Sequence, residues 1–155
     1  MLSLTMRKIL TAAFLICLPV TSTLAREIPV SVGKNYDFTL TCRVGNFIGV
    51  VEGTAGNNYY IGKWVDTKRY KITRINGQKG GNKANVNLNA GKAPSFSRDN
   101  VVYSPNRMIQ DGNWHDLRLS RMYFADRNTR SATSYDFIFD KSGRDPSCWT
   151  EVLNF

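Results

Sequence analysis

Histidine and cysteine are scarce in this chain of 155 residues, and their scarcity limits the chemistry open to it. The chain has a single histidine, His115, and only two of its three cysteines, Cys42 and Cys148, lie beyond residue 25. A structural zinc site needs about four nitrogen, sulfur or oxygen ligands close together, and no spacing of that kind is present. We therefore expect no metal and no cofactor.

A long apolar run is also lacking, and this argues against a helical membrane span, although a retained membrane anchor at the N-terminal apolar run stays open as the alternative. Residues 9–20 are apolar, but this run is shorter than the ~20 residues that a membrane-spanning helix requires. It follows Arg7 and Lys8 and precedes small residues that end at Ala25, which is typical of a secretory signal peptide. We predict a signal peptide at residues 1–25, cleaved after Ala25, and a periplasmic or secreted protein with a single β domain at residues 26–155.

Acidic residues are few, and their distribution is uneven. The 21 basic residues less Arg7 and Lys8 leave 19 against 12 acidic residues, a mature charge of +7. Residues 67–98 contain no acid and eight cations, which form the predicted basic patch: Lys68, Arg69, Lys71, Arg74, Lys79, Lys83, Lys92 and Arg98. Such a run favours an acidic ligand or an acidic protein partner. The alternative is a solvated edge whose lysines prevent strand addition by another molecule.

Segments with the helical period are absent, whereas alternation of apolar and polar residues recurs along the chain. It is clearest at residues 36–44, where Phe38, Leu40 and Cys42 share one parity and Thr39 and Thr41 the other. The even spacing of short segments of this kind predicts an all-β fold: a single small antiparallel β-barrel or β-sandwich of roughly eight to ten short strands.

The two cysteines of the mature chain predict one disulfide, Cys42–Cys148, because paired cysteines in an exported protein are usually oxidised. Two free thiols are the alternative. The bond would close a loop of about a hundred residues, for which the chain-entropy description gives ~4–5 kcal/mol. We expect it to bring the two ends of the sheet together.

A Gly-rich segment divides the basic patch. Asn76-Gly77 favours a tight turn, and Gly80-Gly81 follows shortly afterwards. We predict a long hairpin whose tip carries Lys79 and Lys83.

Two short resemblances to known families are visible. Asp111, Trp114 and His115, with Leu117 and Arg121 after them, resemble a strand of laminin-G-type sandwiches over about ten residues. An early strand cysteine with a second one near the end is similar to the plan of bacterial inhibitors of C-type lysozyme. The serine-glycine inhibitory loop of that family has no clear counterpart here, so the chain is assigned to neither family.

The expected function is binding, to an acidic envelope ligand or to a protein partner in an inhibitor or immunity role, and not catalysis. No nucleic-acid motif accompanies the basic patch. Two alternatives stay open. Phe155, Leu153 and Trp149 share one parity, as in the last strand of an eight-stranded outer-membrane barrel. His115 could serve a small secreted hydrolase as a general base.

Overall fold

The computed structural model describes residues 25–93, 100–123 and 129–155, with Tyr123 described by its backbone alone. Residues 1–24 of the predicted signal peptide lie outside this part of the chain. All regular structure in the described part is β, which confirms the predicted class. The strands are β1 (Arg26–Glu27), β2 (Lys34–Val44), β3 (Phe47–Asn58), β4 (Gly62–Arg74), β5 (Asn85–Lys92), β6 (Val101–Val102), β7 (Trp114–Asp116), β8 (Ser120–Tyr123), β9 (Ser131–Ile138), β10 (Ser147–Trp149) and β11 (Leu153–Asn154).

The strands form two sheets. Sheet I has the order β2-β3-β4-β7, and β8 also pairs with β4. Sheet II has the order β1-β11-β9-β5-β6, and β10 also pairs with β9. Every pairing is antiparallel except that of β1 with β11, which makes sheet II mixed. No strand pairing joins the two sheets within the described residues, so they are not closed into a barrel.

One apolar core holds side chains from both sheets. Sheet I contributes Phe38, Leu40 and Val51, and sheet II contributes Leu88 and Phe137, all at most 4% exposed. Each of these residues shares the parity of its buried strand neighbours, as the period of two requires. The alternation predicted for residues 36–44 is therefore confirmed, although Tyr36, at the start of β2, remains 40% exposed.

Three strands are longer than the short strands that the sequence predicts, with 11, 12 and 13 residues in β2, β3 and β4. The Gly-rich stretch that begins at residue 53 has the composition of a loop, yet β3 continues through it to Asn58. A Cβ at Gly53 would collide with Phe38 and with the backbone of Asp66, and one at Gly56 would collide with Trp64. These glycines are strand residues at points of close approach and do not mark a turn.

A β-bulge interrupts the alternation of β4. The pairing of β3 with β4 shifts between Glu52 and Gly53, which lie opposite Arg69 and Thr67, so Lys68 is the extra residue. A bulge changes the parity of the strand without ending it. Consequently Thr67 and Tyr70 are both buried, while Lys68 and Arg69 between them are both exposed.

The predicted disulfide is confirmed. Cys42 on β2 is bonded to Cys148 on β10, across 106 positions of sequence. Because β2 is an edge strand of sheet I and β10 belongs to sheet II, the bond joins two sheets. The expectation that it brings the two ends of a single sheet together is therefore wrong.

The predicted long hairpin between β4 and β5 is also wrong. β4 pairs in sheet I, whereas β5 pairs with β6 and β9 in sheet II. The tight turn at Asn76-Gly77 is present, with φ of 53° and 68°. The amide of Gln78 donates to the carbonyl of Ile75 at 3.0 Å. The chain then leaves sheet I and crosses to sheet II, so the turn does not pair the two strands.

Residues 25–93, 100–123 and 129–155 contain neither a candidate membrane-spanning helix nor a candidate metal site. No helix there has the length and apolar character that a membrane span requires. No group of three or more histidine, cysteine, aspartate or glutamate side chains there is arranged to hold a metal ion.

Candidate anion-binding site

Four cations of the predicted basic patch lie on β4, three of them on the outward face of sheet I, and acids from β2 and β3 pair with two of those three. Lys68 Nζ donates to Asp37 Oδ1 of β2 at 2.8 Å, and Arg69 Nε donates to Glu52 Oε2 of β3 at 2.6 Å. The hydrogen bond from Lys68 lowers the pKa of Asp37. The patch is therefore less positive than residues 67–98 alone suggest, because acids distant in sequence lie beside it.

The indole ring of Trp114 lies against two cations in the middle of β4, Arg69 and Lys71. It lies on β7 directly opposite Lys71. The guanidinium carbon of Arg69 is 4.6 Å from the centroid of the indole ring, and Lys71 Nζ is 4.8 Å from it. Both distances are within the range of cation–π attraction, which orients the two charges toward one surface. In the described part of the chain, Lys71 has no carboxylate partner.

A cavity of about 560 Å³ opens where β4 ends, and Thr73, Arg74, Lys79 and Asp111 are among the residues that line it. The guanidinium of Arg74 donates to the carbonyl of Gly80, which fixes its direction. The exposed side chain of Lys79 has no ion-pair partner among the described residues. We use the name cationic strip for Arg69, Lys71, Trp114, Arg74 and Lys79.

The Gly-rich segment beside the cavity is anchored and does not form the free hairpin tip that was predicted. Gln110 is completely buried, and its Nε2 donates to the carbonyls of Gly81 at 2.8 Å and of Asp140 at 2.9 Å. Its Oε1 accepts a hydrogen bond from the amide of Asp140 at 3.2 Å. A Cβ on Gly80 would collide with the Asp140 carbonyl, so only glycine fits there. Gln110 thus ties this wall of the cavity to Asp140, which follows the end of β9.

His115 lies beside the cationic strip and is oriented by a carboxylate. Its Nε2 is 2.8 Å from Asp111 Oδ1, and its ring stacks on Tyr70 with centroids 5.5 Å apart. The hydrogen bonds from His115 and from the Asn113 amide lower the pKa of Asp111 to about 2. A hydrolase would also need a nucleophile at the histidine, and no hydroxyl or thiol of the described residues is hydrogen-bonded to His115.

The other predicted patch residues do not join the cationic strip. Lys83 is exposed on the crossing between the sheets, where its backbone amide donates to Asp140. Lys92 is exposed at the end of β5, in sheet II. Arg98 lies outside the described residues. The structure therefore places Arg69 and Lys71 beside Trp114, Arg74 and Lys79 at the cavity beyond the end of β4, and Lys92 in the other sheet.

Sequence reasoning missed Trp114 as a site residue and the acids Asp37 and Glu52 as partners of the patch. The contacts of Trp114 depend on which strand pairs with β4, and the two strands are far apart in the sequence, at Gly62–Arg74 and Trp114–Asp116. The alternation of β2 did predict that Asp37 faces outward, but it gave no indication that Lys68 lies next to it.

Comparisons with known proteins found no relative. No protein-family model matches the chain, and neither curated proteins nor solved structures give a match.

Proposed function

We propose that this is an exported β-sandwich protein that binds an acidic polymer of the cell envelope along the cationic strip, without a catalytic step. The disulfide between the two sheets is consistent with export to an oxidising compartment. The shared core between sheet I and sheet II supports the sandwich as the more specific description of the fold.

The observation that carries the proposal is the arrangement around Trp114. Arg69 and Lys71 approach its ring from one strand, and Lys71 has no acid among the described residues to neutralise it. A cation that is oriented but not neutralised retains its attraction for an incoming anion, whereas an ion-paired cation such as Lys68 loses much of it. Within the strip, Lys71 therefore retains charge for a ligand, whereas Arg69 shares its charge with Glu52.

The shape of the cationic strip favours an extended ligand over a single small anion. Lys71 lies within β4, Arg74 at its end, and Lys79 on the segment that follows. Because these cations occupy successive places along the strand and the segment after it, an extended ligand suits them better than a single phosphate or sulfate, which would need them to converge on one point. A chain of anionic groups can contact each of them in turn and releases its own counterions as it binds, so its affinity falls as salt rises.

Charge reversal tests the proposal. We expect the double variant Lys71→Glu and Lys79→Glu to lose more than about tenfold in affinity for inorganic polyphosphate at low salt, because like charges then face the ligand. Binding is measured by titration calorimetry and from the indole NMR resonance of Trp114. The free energy of unfolding should change by less than ~1 kcal/mol, since Lys79 is exposed, Lys71 is only half-buried, and neither has an ion pair among the described residues.

The matched control reverses the same number of charges elsewhere, with Lys92→Glu and Arg121→Glu, both on exposed side chains outside the cationic strip. We expect the control to lose less than about threefold in affinity. Equal losses from the two double variants would show that only net charge matters, and the proposed site would then be abandoned.

A further inference from the structure

A second concave surface lies on the outward face of sheet I, along the first half of β4. It is a groove of about 610 Å³, within the usual range of ligand pockets of about 300–1,000 Å³. The residues that matter for its chemistry are Trp64, Asp66, Asp37, Lys68, Arg118 and Asn35. No residue of the cationic strip lines this groove, so the two surfaces are different.

Trp64 supplies an aromatic surface in the groove. Gly56 lies directly opposite it on β3, and a Cβ at that position would collide with the indole. The absence of a side chain there lets the ring lie against the backbone of β3. The indole remains partly exposed, and its Nε1 has no hydrogen bond within the described residues. Trp64 therefore offers both an apolar surface and a free donor to a ligand.

The polar groups of the groove are oriented but only partly used. Oδ1 of Asp37 accepts hydrogen bonds from Thr54 Oγ1 at 2.6 Å and from Lys68 Nζ at 2.8 Å, which leaves Oδ2 available. Asp66 lies on β4 opposite Ser120 of β8, and its carboxylate has no ion pair among the described residues. Arg118 is exposed and likewise lacks an ion pair there. The groove thus holds unused acceptors and unused donors together.

The charges of the groove balance, and this decides the class of ligand. Two carboxylates, Asp37 and Asp66, oppose two cations, Lys68 and Arg118, so neither an anion nor a cation gains a net attraction. A hydroxyl group both donates and accepts, and adjacent hydroxyls can bind a carboxylate or a guanidinium at two points. A sugar ring adds an apolar face of carbon atoms that can pack on an indole. We propose that this groove binds an uncharged saccharide, independently of the acidic polymer at the cationic strip.

The test uses the indole resonances of the folded protein. The chain has three tryptophans, and Trp64→Phe and Trp114→Phe assign two of the three signals. Maltotetraose, cellotetraose and the tetrasaccharide of β-1,4-linked N-acetylglucosamine are each titrated into the wild-type protein. At least one of them should shift the Trp64 resonance in a saturable way and leave Trp114 unmoved, whereas polyphosphate should shift Trp114. Failure at one site is therefore distinguishable from failure at the other.

Substitutions on exposed residues then locate the contacts. Asp66→Asn and Arg118→Gln should each weaken the saccharide about tenfold, since each removes a charge-assisted hydrogen bond. Tyr60→Ala removes an aromatic ring that is 88% exposed and does not line the groove, and should leave the affinity unchanged. The proposal is overturned if none of the three saccharides shifts Trp64, or if trilysine or polyphosphate shifts it in their place.

Discussion

The outward faces of the two sheets carry polar residues, but they differ in charge and in exposure. On sheet I the outward side chains of β4 include Lys68 and Arg69, which are exposed and ion-paired. On sheet II the residues of outward parity include Asn87, Asn89 and Ser134, which are uncharged and at most 3% exposed. A polar pattern on a strand therefore does not show whether that face meets solvent.

The covered face explains why both proposed sites lie on sheet I. Ser104 packs over β5, where its amide donates to Asn87 Oδ1 and its hydroxyl accepts from the amide of Val86. Side chains beneath such a layer cannot reach a ligand. Among the described residues, the aromatic and charged side chains on the outward face of sheet I, such as Trp64 and Lys68, remain partly or fully exposed.

The largest expected effect is on the disulfide. Replacing both cysteines, Cys42→Ser and Cys148→Ser, should lower the free energy of unfolding by about 4 kcal/mol, because the bond restrains a long loop in the unfolded chain. Denaturant unfolding monitored by tryptophan fluorescence measures this. If unfolding is equally easy in the oxidised protein and in the double variant, the link between the sheets is not what holds them together.

The next effect concerns Gln110, which ties the segment leaving sheet I to sheet II. Gln110→Ala should cost about 2 kcal/mol, since it leaves the carbonyl of Gly81 and both backbone groups of the half-buried Asp140 without their partner. Asn106→Ala, at an exposed position, should cost less than ~0.5 kcal/mol. Both values come from chemical denaturation. A cost at Gln110 no greater than that at Asn106 would contradict the role assigned to the amide.

The sequence predicted well what depends on neighbouring residues. The alternation at residues 36–44 gives the buried face of β2, because side chains of a strand alternate whatever that strand pairs with. The cysteine pair was predictable from export and from its number alone. The turn at Asn76-Gly77 was predictable for the same local reason, since these residues tolerate positive φ.

Properties that depend on distant partners could not be predicted. Gly53 and Gly56 resemble loop residues until Phe38 and Trp64 are placed against them. The bulge at Lys68 is defined by a mismatch with β3, and the sequence of β4 alone does not contain it. The same holds for the site, because Trp114 meets Lys71 only through the pairing of β7 with β4.

A smaller effect distinguishes two neighbours on the covered face of sheet II. Asn89 is completely buried, and neither the nitrogen nor the oxygen of its side-chain amide has a hydrogen-bond partner within the described residues. Asn89→Val should therefore stabilise the protein by about 1 kcal/mol, because a buried polar group without a partner carries a desolvation penalty. Thermal and denaturant unfolding give the sign.

Asn87 is the matched control, since it lies two positions away on the same face and accepts a hydrogen bond from the amide of Ser104. Asn87→Val should destabilise the protein by about 1–2 kcal/mol. If Asn89→Val is as destabilising as the control, the amide of Asn89 is satisfied by a bound water, and the covered face is more polar inside than the contacts suggest.

The smallest expected effect tests whether the exposed charges beside the cationic strip matter for folding. The pKa of Asp111 is lowered to about 2, so its charged form is favoured in the folded protein. Its contribution to stability is complete above the ordinary aspartate pKa near 4 and is lost as the pH falls from there to about 2. Asp111→Asn should remove this part of the pH dependence of unfolding and leave stability at pH 7 slightly lower.

Asp116→Asn is the control, because the side chain of Asp116 is exposed and has no hydrogen bond within the described residues. An unchanged acid profile in Asp111→Asn would show that the pair with His115 forms without stabilising the fold.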